Sequence, residues 1–502
     1  MKAYLSAAAS GVLYALAYEH AALWPLAFVA LAPLLYALEH GEHTIGQALR
    51  LGLCAGLLQQ GGAYRWLLPT IHDYAGMPLW LSLLAWGLLV LYQAGQLALW
   101  SAAIARGRAL GWPLLALAPL LWGAIEQLYP LLFPSPFAAV LHAQPSLLQG
   151  LELAGARPIS MLLVLASASI ARVACAPRAD SRSRRLRTLA RIASVWVTLA
   201  AFGLWRGEQV NAAVQAAPAL SVGLVQANIG AAQKRRDPGA LRRIHLQLSR
   251  ALLRDGAPDL LIWPVTALPG FIPADSRDLS AAVGELGTPL LTGAVAHRNR
   301  GGRAELYNSA FLLDPHGHVL GRSDKLQLVP FAERLPLGER FPQLYELAPG
   351  AGAFTPGRAP TALELNGRRI AVLICYEDIL PELVREVTRA SAAQLLVNVT
   401  NDAWFGDTAA PHIHLALATL RAIEQRRFLV RATNSGVSAI VGPTGRVLQT
   451  LPMFEPGTLR ARVALLSVTT LYARIGELAG YLAVAVCALL VAVRRRRRAP
   501  EG

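Results

Sequence analysis

A lysine and a cysteine fifty residues apart are the residues of this chain best suited to chemistry. Cys375 directly follows the apolar run Ile370–Ile374, and polar residues follow the cysteine. A strand that ends in this way lifts the sulfur out of a sheet and directs it at backbone N–H groups and the positive end of a helix, which favour the thiolate. Lys325 adds a cation, and Glu333 and Glu377 add nearby carboxylates. Together these groups predict a nucleophilic cysteine in a covalent acyl-transfer site.

The composition indicates that this site belongs to a membrane protein. Over 502 residues the hydrophobic fraction is 54% and the mean hydropathy is +0.40, too high for an ordinary soluble enzyme. Apolar runs fill the chain from Ala3 to Trp205 and return between Ile475 and Val493. A transmembrane helix needs about 20 apolar residues. We therefore predict about eight spans, at residues 3–19, 21–38, 47–68, 78–104, 111–133, 159–176, 192–206 and 475–493.

Clusters of arginine predict the orientation of these spans. Six arginines lie between residues 178 and 191, and five follow the last apolar run at 494–498. By the positive-inside rule both clusters are cytoplasmic. The predicted domains are a bundle of seven spans at 1–206, an outer domain at 207–474, an eighth span at 475–493 and a basic cytoplasmic tail at 494–502.

The net charge of +16 does not indicate a nucleic-acid-binding protein. Eleven of the arginines lie in the two juxtamembrane clusters, where topology and anionic lipid account for them. Met1 and Lys2 precede a long apolar run without a convincing cleavage site, which predicts a retained first helix.

No metal site or cofactor is predicted. Cys54, Cys175 and Cys487 lie in or beside predicted spans, where a cysteine serves as a small apolar packing residue. His412 and His414 are two residues apart on a predicted helix, so they face different directions, and no further ligand spacing completes a site.

The outer domain alternates apolar strands with helical stretches, which predicts a layered α/β fold with sheets buried on both faces. The predicted strands are 220–228, 260–265, 289–295, 307–313, 318–321, 369–375, 394–400 and 437–441. The predicted helices are 239–255, 381–390 and 411–427. Turns are expected at 314–317 and 442–445, where Pro and Gly are combined.

Several motifs resemble those of the apolipoprotein N-acyltransferases, membrane-anchored members of the nitrilase (carbon–nitrogen hydrolase) superfamily. They are VQANI at 225–229, LIWP at 261–264, KLQLVPFAE at 325–333, ICYED at 374–378, the segment from Asn401 to Glu424, and RATNSGVSAIVGPTGRV at 431–447. The resemblance extends over essentially the whole chain. It implies a nitrilase-like α-β-β-α sandwich facing the periplasm, carried by a multi-pass bundle in the bacterial inner membrane. A bundle of this size with its own outer domain needs no partner to close its core, so a monomer is expected.

The resemblance also implies the reaction and the role of each site residue. Cys375 would take a fatty acyl chain from a phospholipid, such as phosphatidylethanolamine, as a thioester. Lys325 would stabilise the oxyanion together with backbone N–H near Tyr376, and Glu333 and Glu377 match supporting acidic positions. The acceptor would be the α-amino group of the diacylglyceryl-cysteine of an apolipoprotein, which attacks the thioester to form an amide.

The chain departs from the family at the position of its catalytic glutamate, directly after Trp-Pro, where it carries Val265. Valine cannot accept a proton, and general-base catalysis contributes about 10²–10⁴-fold to a rate. Glu333 or Glu377 then serves as a substitute base, or the protein is an inactive paralogue that binds lipid or lipoprotein, or the valine is an engineered or erroneous substitution. A membrane-tethered amidase, in which water replaces the amine, is a further alternative. Arg235 for tryptophan and Ala332 for glycine are lesser departures.

Overall fold

The structure is a computed structural model that describes residues 1–74, 76–176, 182–230, 236–338, 340–347 and 352–496. Arg178, Arg235 and the end of the basic tail lie outside these ranges. The chain divides into two compact units. The first contains Met1–Gln209 and Thr470–Gly502, and the second contains Val210–Thr469. The assignment of the two to a membrane bundle and a catalytic domain stays a prediction.

The first unit is built from apolar helices. Its α-helices in the first part of the chain are α1 Lys2–Glu19, α2 Ala32–His40, α3 Ile45–Ala63, α4 Leu67–Pro69, α5 Leu79–Ala109, α6 Leu114–Leu128, α7 Leu151–Ala154, α8 Arg157–Cys175 and α9 Arg182–Ala216. Shorter helical turns of other types cover Ala21–Phe28, Thr70–Tyr74, Phe137–Ala143 and Pro145–Leu148. Among the described residues, four segments are long and apolar enough to cross a membrane: Ala21–His40, Leu79–Ala109, Arg157–Cys175 and Arg182–Ala216.

Two predicted spans have a different form from the one expected. The segment predicted at 21–38 is a tight helical turn followed by α2, because Pro25 interrupts the first part and a proline cannot donate to the helical ladder. The span predicted at 192–206 is the middle of α9, which is 35 residues long. The arginines from Arg182 to Arg191 therefore form the first turns of that helix, where the sequence had suggested a connection. The count of eight spans stays a prediction.

The second unit contains two β-sheets. Its strands are β1 Ala219–Gln226, β2 Leu260–Ile262, β3 Phe271–Pro273, β4 Leu290–Arg300, β5 Arg303–Leu313, β6 Val319–Asp324, β7 Leu363–Leu365, β8 Arg368–Ile374, β9 Leu395–Thr400, β10 Leu429–Thr433, β11 Ala439–Val441, β12 Val447–Thr450 and β13 Gly457–Ala464. The first sheet has the order β13-β1-β2-β4-β5-β6, with β3 paired to β4, and the second has the order β12-β11-β10-β9-β8-β7. Its helices are α10 Pro238–Leu253, α11 Ser280–Val283, α12 Leu344–Leu347, α13 Pro381–Ala390 and α14 Ala410–Gln425.

Alternation along β8 shows how the layers stack. Ile370, Val372 and Ile374 pack in an apolar cluster that contains residues of both sheets. Ala371 and Leu373, between them, pack against the helices α13 and α14 on the other side. A strand with both faces apolar is buried on both faces. The matching outer cluster of the first sheet includes residues of α10, so the order of layers is helix, sheet, sheet, helix, as predicted.

The sequence indicated eight of the strands and missed five: β3, β7, β10, β12 and β13. Three of these are only three or four residues long, too short to show a period. In β10 and β13 charged residues interrupt the apolar pattern, with Arg431 in the first and Arg460 and Arg462 in the second. Both expected turns join antiparallel neighbours, β5 with β6 and β11 with β12.

The chain then returns to the first unit through α15 Leu471–Ile475 and α16 Leu478–Arg496. Glu477, between these helices, is buried and forms an ion pair with Arg157 of α8 and a hydrogen bond with the Tyr472 hydroxyl at 2.8 Å. A buried charge needs such a partner. This pair fixes the last helix to the helices that precede the second unit.

Candidate active site

Cys375 lies at a sharp corner of the backbone. It directly follows β8 and begins the helical turn Cys375–Ile379, and its φ of 56° places it in the left-handed region that side chains other than glycine rarely adopt. Such a conformation costs on the order of 1–3 kcal/mol and persists only where the surroundings fix it. Asn398 of β9 supplies one constraint, because its amide donates to the backbone oxygens of Leu373 at 3.2 Å and Cys375 at 3.0 Å.

Glu377 joins this corner to the segment that carries Lys325. One of its carboxylate oxygens accepts from the backbone N–H of Leu326 at 2.6 Å and Gln327 at 2.9 Å, and the other accepts from the N–H of Ile374 at 2.8 Å. The side chain is 3% exposed, and burial raises its pKa to about 7 against the opposing effect of Lys325 and the three N–H groups. Glu377 therefore acts as a brace between two backbone segments.

Lys325 and Glu333 form a direct ion pair in the same region. The Lys325 ammonium donates to a Glu333 oxygen at 2.6 Å, and the lysine is 1% exposed. Glu333 also accepts from the backbone N–H of Val329 at 2.8 Å and from the side-chain amide of Asn308 at 3.2 Å. The two predicted residues are thus held together in a fixed geometry, with Glu333 the more accessible member.

The charges of Lys325 and Cys375 influence each other. Burial raises the pKa of the Cys375 thiol, the ammonium of Lys325 lowers it, and the carboxylate of Glu333 raises it again, so the pKa stays above its ordinary value. The expectation that this corner favours the thiolate is therefore wrong for the resting site, because burial outweighs the nearby cation. Burial lowers the pKa of Lys325, but the negative charges of Cys375, Glu333 and Glu377 together raise it above its ordinary value. Lys325 is therefore a permanent cation beside a thiol that is protonated at rest.

Val265 lies at the edge of the same region in an apolar setting. It is 6% exposed and belongs to the apolar cluster between the sheets, against which Cys375 packs. The backbone here is closely held: a Cβ at Gly293 would lie 2.5 Å from the Val265 Cα, so only glycine fits there. Thr266 follows with a φ of 50°. The position next to Trp263-Pro264, where the resemblance implies a carboxylate, therefore offers an aliphatic surface.

Two aromatic residues of the matched motifs differ in exposure. Tyr376, next to the nucleophile position, is half-buried, and burial raises its pKa to about 12, so its hydroxyl stays protonated. Trp404, in the short turn Ala403–Phe405, is 44% exposed. A cleft of about 410 Å³ lies along the segment after Lys325 and is lined mainly by leucines and prolines, together with Gln327 and Arg334.

The structure also reveals a buried ionic cluster that sequence reasoning missed. Asp378, in the turn that begins with Cys375, contacts His414 and Arg431, and Asp402 contacts the same two side chains. The sequence pattern argued against a metal site at His414 and indicated no other role; in the structure its ring nitrogens contact the two aspartates, at 2.8 and 3.0 Å. Arg431 lies on a strand that the sequence did not indicate. Among the described residues no group of three or more metal-binding side chains is found.

Comparison with known proteins identifies the family. The apolipoprotein N-acyltransferase N-terminal domain matches residues 10–169, and the carbon–nitrogen hydrolase family matches residues 221–473. An apolipoprotein N-acyltransferase of Geobacter metallireducens is 34% identical over 99% of this chain and 96% of its own length. One from Azotobacter vinelandii is 33% identical, with the same coverage of both chains. A solved amidase from Nesterenkonia sp. is 24% identical over 52% of this chain and 95% of its own, with a TM-score of 0.36. The chain belongs to the apolipoprotein N-acyltransferase family.

Proposed function

We propose that the protein transfers a fatty acyl chain from a phospholipid to the N-terminal amine of an apolipoprotein through a thioester on Cys375. Family membership over the full length supports the reaction. The observation that carries the site assignment is the strained Cys375 corner, joined through Glu377 to the segment of the buried Lys325–Glu333 pair.

The reaction takes place in two steps. The Cys375 sulfur attacks an ester carbonyl of the phospholipid, the thioester bond forms, and the lysophospholipid leaves as an alcohol that takes up the thiol proton. The amine of the acceptor then attacks the thioester, the amide bond forms, and the thiol is released with a proton from the amine. Both steps pass through an oxyanion, and a fixed cation such as Lys325 stabilises that charge more than it stabilises the neutral carbonyl.

Glu333 is the better candidate for the base that replaces the missing glutamate. Both oxygens of Glu377 already accept backbone N–H groups, and proton uptake there would weaken the brace. Glu333 has one oxygen with a single amide donor, from Asn308, and its side chain is 16% exposed. Because a base needs a free lone pair, Glu333 fits this role and Glu377 does not.

The first experiment is the intact mass of the purified protein after incubation with phosphatidylethanolamine vesicles, with and without hydroxylamine. We expect a fatty-acyl adduct that hydroxylamine removes and that Cys375→Ala abolishes. Release of the adduct by a diacylated lipopeptide, with formation of the N-acyl product, completes the test. Release by water alone indicates an amidase, and a folded, lipid-binding protein without adduct indicates an inactive paralogue; either result overturns the proposal.

Substitutions at positions 265 and 333 test the assignment of the base. If Glu333 is the base, Glu333→Gln lowers the rate of aminolysis by about 10²-fold or more, and Val265→Glu raises it by less than about tenfold. In the Val265→Glu background the loss caused by Glu333→Gln becomes smaller, since a second carboxylate is present. A gain of several orders of magnitude from Val265→Glu alone would show that the valine disables an ordinary enzyme.

We further propose eight spans in the inner membrane, with residues 207–474 in the periplasm and the molecule a monomer. Apolar helices and the basic stretches at their ends support this topology. Phosphatidylethanolamine is the proposed donor. Reporter fusions within 207–474 and after residue 496 test the topology. A reporter that works only outside the cytoplasm should be active in the first region, and a reporter that works only inside it should be active after residue 496. A sedimentation analysis in detergent tests the monomer.

A further inference from the structure

The buried ionic cluster forms a closed ring. Each aspartate uses one oxygen toward His414 and the other toward Arg431. The distances are 2.8 Å from His414 Nε2 to Asp378, 3.0 Å from His414 Nδ1 to Asp402, and 2.8 Å from Arg431 to Asp402; the fourth contact joins Arg431 to Asp378. All four side chains are buried, and both aspartates and Arg431 are fully so.

The charges of the ring balance in only one protonation state of His414. Two carboxylates and one guanidinium leave a net charge of −1, and an imidazolium brings the sum to zero. An uncompensated buried charge is strongly destabilising, so the neutral sum is favoured. Arg431 Nη2 also lies 2.9 Å from His414 Nδ1 and would be a donor to a neutral ring. That tautomer, however, turns a lone pair toward the carboxylate of Asp402, whereas the imidazolium donates to both aspartates.

The ring joins four elements that meet at the nucleophile. Asp378 belongs to the helical turn that begins with Cys375, Asp402 precedes the turn of Trp404, and His414 and Arg431 lie on α14 and β10. Arg431 also donates at 2.9 Å to Asn398, the residue that holds the backbone oxygen of Cys375. A change in the ring is therefore transmitted to the nucleophile through one shared side chain.

We propose that His414 is a positioning residue that acts as an imidazolium, keeps the charge of the ring at zero and thereby makes the reactivity of the Cys375 thiol depend on pH. This inference rests on the proposed role of Cys375. Loss of the imidazolium proton leaves one uncompensated negative charge in the ring, and the carboxylate of Asp402 already acts against the Cys375 thiolate. It also weakens the hold of the ring on the segment from Asp402 to Trp404.

The environment of His414 decides the direction of the effect. Burial and Arg431 lower the pKa of His414. Asp378 and Asp402 raise it by a larger amount, so that it lies above the ordinary 6.5. The ring of Phe405, 6.3 Å from the imidazole, adds no charge. A histidine with a raised pKa contributes stability that is complete below 6.5 and is lost as the pH rises through the folded value. For the same reason, the support that His414 gives to the reactivity of the thiol should be lost as the pH rises through that value.

The test measures alkylation of Cys375 by iodoacetamide in the full-length protein, read by peptide mass spectrometry, which does not require acyl transfer. At neutral pH we expect His414→Gln to slow alkylation by about tenfold, because a rise of about one unit in the thiol pKa lowers the thiolate fraction by that factor. His412→Gln, on the exposed side of the same helix, is the matched control and should change the rate by no more than about twofold.

A double variant separates charge balance from a merely structural role. His414→Gln leaves the ring at −1, and the addition of Asp378→Asn returns it to zero. If charge is decisive, the double variant reacts at least about threefold faster than His414→Gln alone. If the ring serves only as packing, the second substitution removes another contact and the rate falls again, which overturns the proposal.

Nitrogen NMR of histidine-labelled protein gives an independent readout. The resonances lost in His414→Gln must show both ring nitrogens protonated at pH 6.5 and titrate above it. A neutral ring at that pH overturns the inference and leaves the proposed acyl transfer untouched. If His414 titrates above pH 6.5 as expected but Cys375 forms no acyl adduct, the proposed function alone is refuted.

Discussion

Replacing Glu377 by glutamine should change the response of the protein to pH. The carboxyl is 3% exposed, and its pKa rises from 4.5 to about 7 because burial outweighs the favourable effect of Lys325 and three N–H donors. The folded state therefore binds this proton more tightly than the unfolded state does. The resulting stabilisation is complete below pH 4.5 and is lost as the pH rises through about 7. A rise in pKa of this size corresponds to about 3 kcal/mol.

Thermal unfolding of the purified protein in detergent measures this effect. For a unit the size of Val210–Thr469, about 3 kcal/mol moves the unfolding midpoint by about 5–10 °C. The midpoint of the wild type should fall by this amount, relative to that of Glu377→Gln, between pH 4.5 and neutrality. The difference between the two proteins isolates Glu377, because His414 loses stability in the same direction in both.

Activity should follow the opposite course. A protonated Glu377 has an O–H group where a backbone N–H requires an acceptor, so the segment of Lys325 is less firmly held at low pH. Acylation of Cys375 should decline as the pH falls below about 7, although the fold becomes more stable. Parallel midpoints of the wild type and Glu377→Gln over this range would refute the argument. So would an acylation rate that rises as the pH falls.

Two further predictions concern Lys325 and Gly293. Lys325→Met removes the cation that would stabilise the oxyanion and that pairs with Glu333. It should lower the rate of adduct formation on Cys375, measured by intact mass, by about 10²-fold or more. A smaller loss would show that backbone groups alone stabilise the oxyanion. Gly293→Ala places a Cβ 2.5 Å from the Val265 backbone and should destabilise the protein by about 1–3 kcal/mol, read as a lower unfolding midpoint. Gly230→Ala, where a Cβ meets nothing within 4 Å, is its control and should leave the midpoint unchanged.

Sequence patterns indicated the parts of this structure that depend on local periodicity. The apolar run before Cys375 predicted a strand buried on both faces, and β8 is such a strand. The sequence predicted Lys325 and Glu333, eight residues apart, in one site, but it did not predict that the two would form an ion pair. The order of the motifs predicted that segments far apart in the sequence contribute to one site.

What the sequence did not show depends on contacts between distant segments. Nothing local distinguishes a buried Arg431 from an exposed arginine, since its burial results from two aspartates and a histidine on other elements. The single signal available was the pair of aspartates, Asp378 and Asp402, that follow apolar strands of the same sheet. The brace formed by Glu377 is equally hidden, because its partners are backbone N–H groups, which carry no side-chain signature.

The left-handed backbone at Cys375 has a consequence for how such a protein changes over time. A glycine there would relieve a strain of about 1–3 kcal/mol, of which its greater freedom in the unfolded chain offsets about 0.5–1 kcal/mol. Selection for stability alone therefore favours loss of the thiol. A screen for thermostable variants should recover glycine at this residue early, and the resulting protein would lack the nucleophile. Any effort to stabilise this protein for study has to hold position 375 fixed and seek its gains elsewhere.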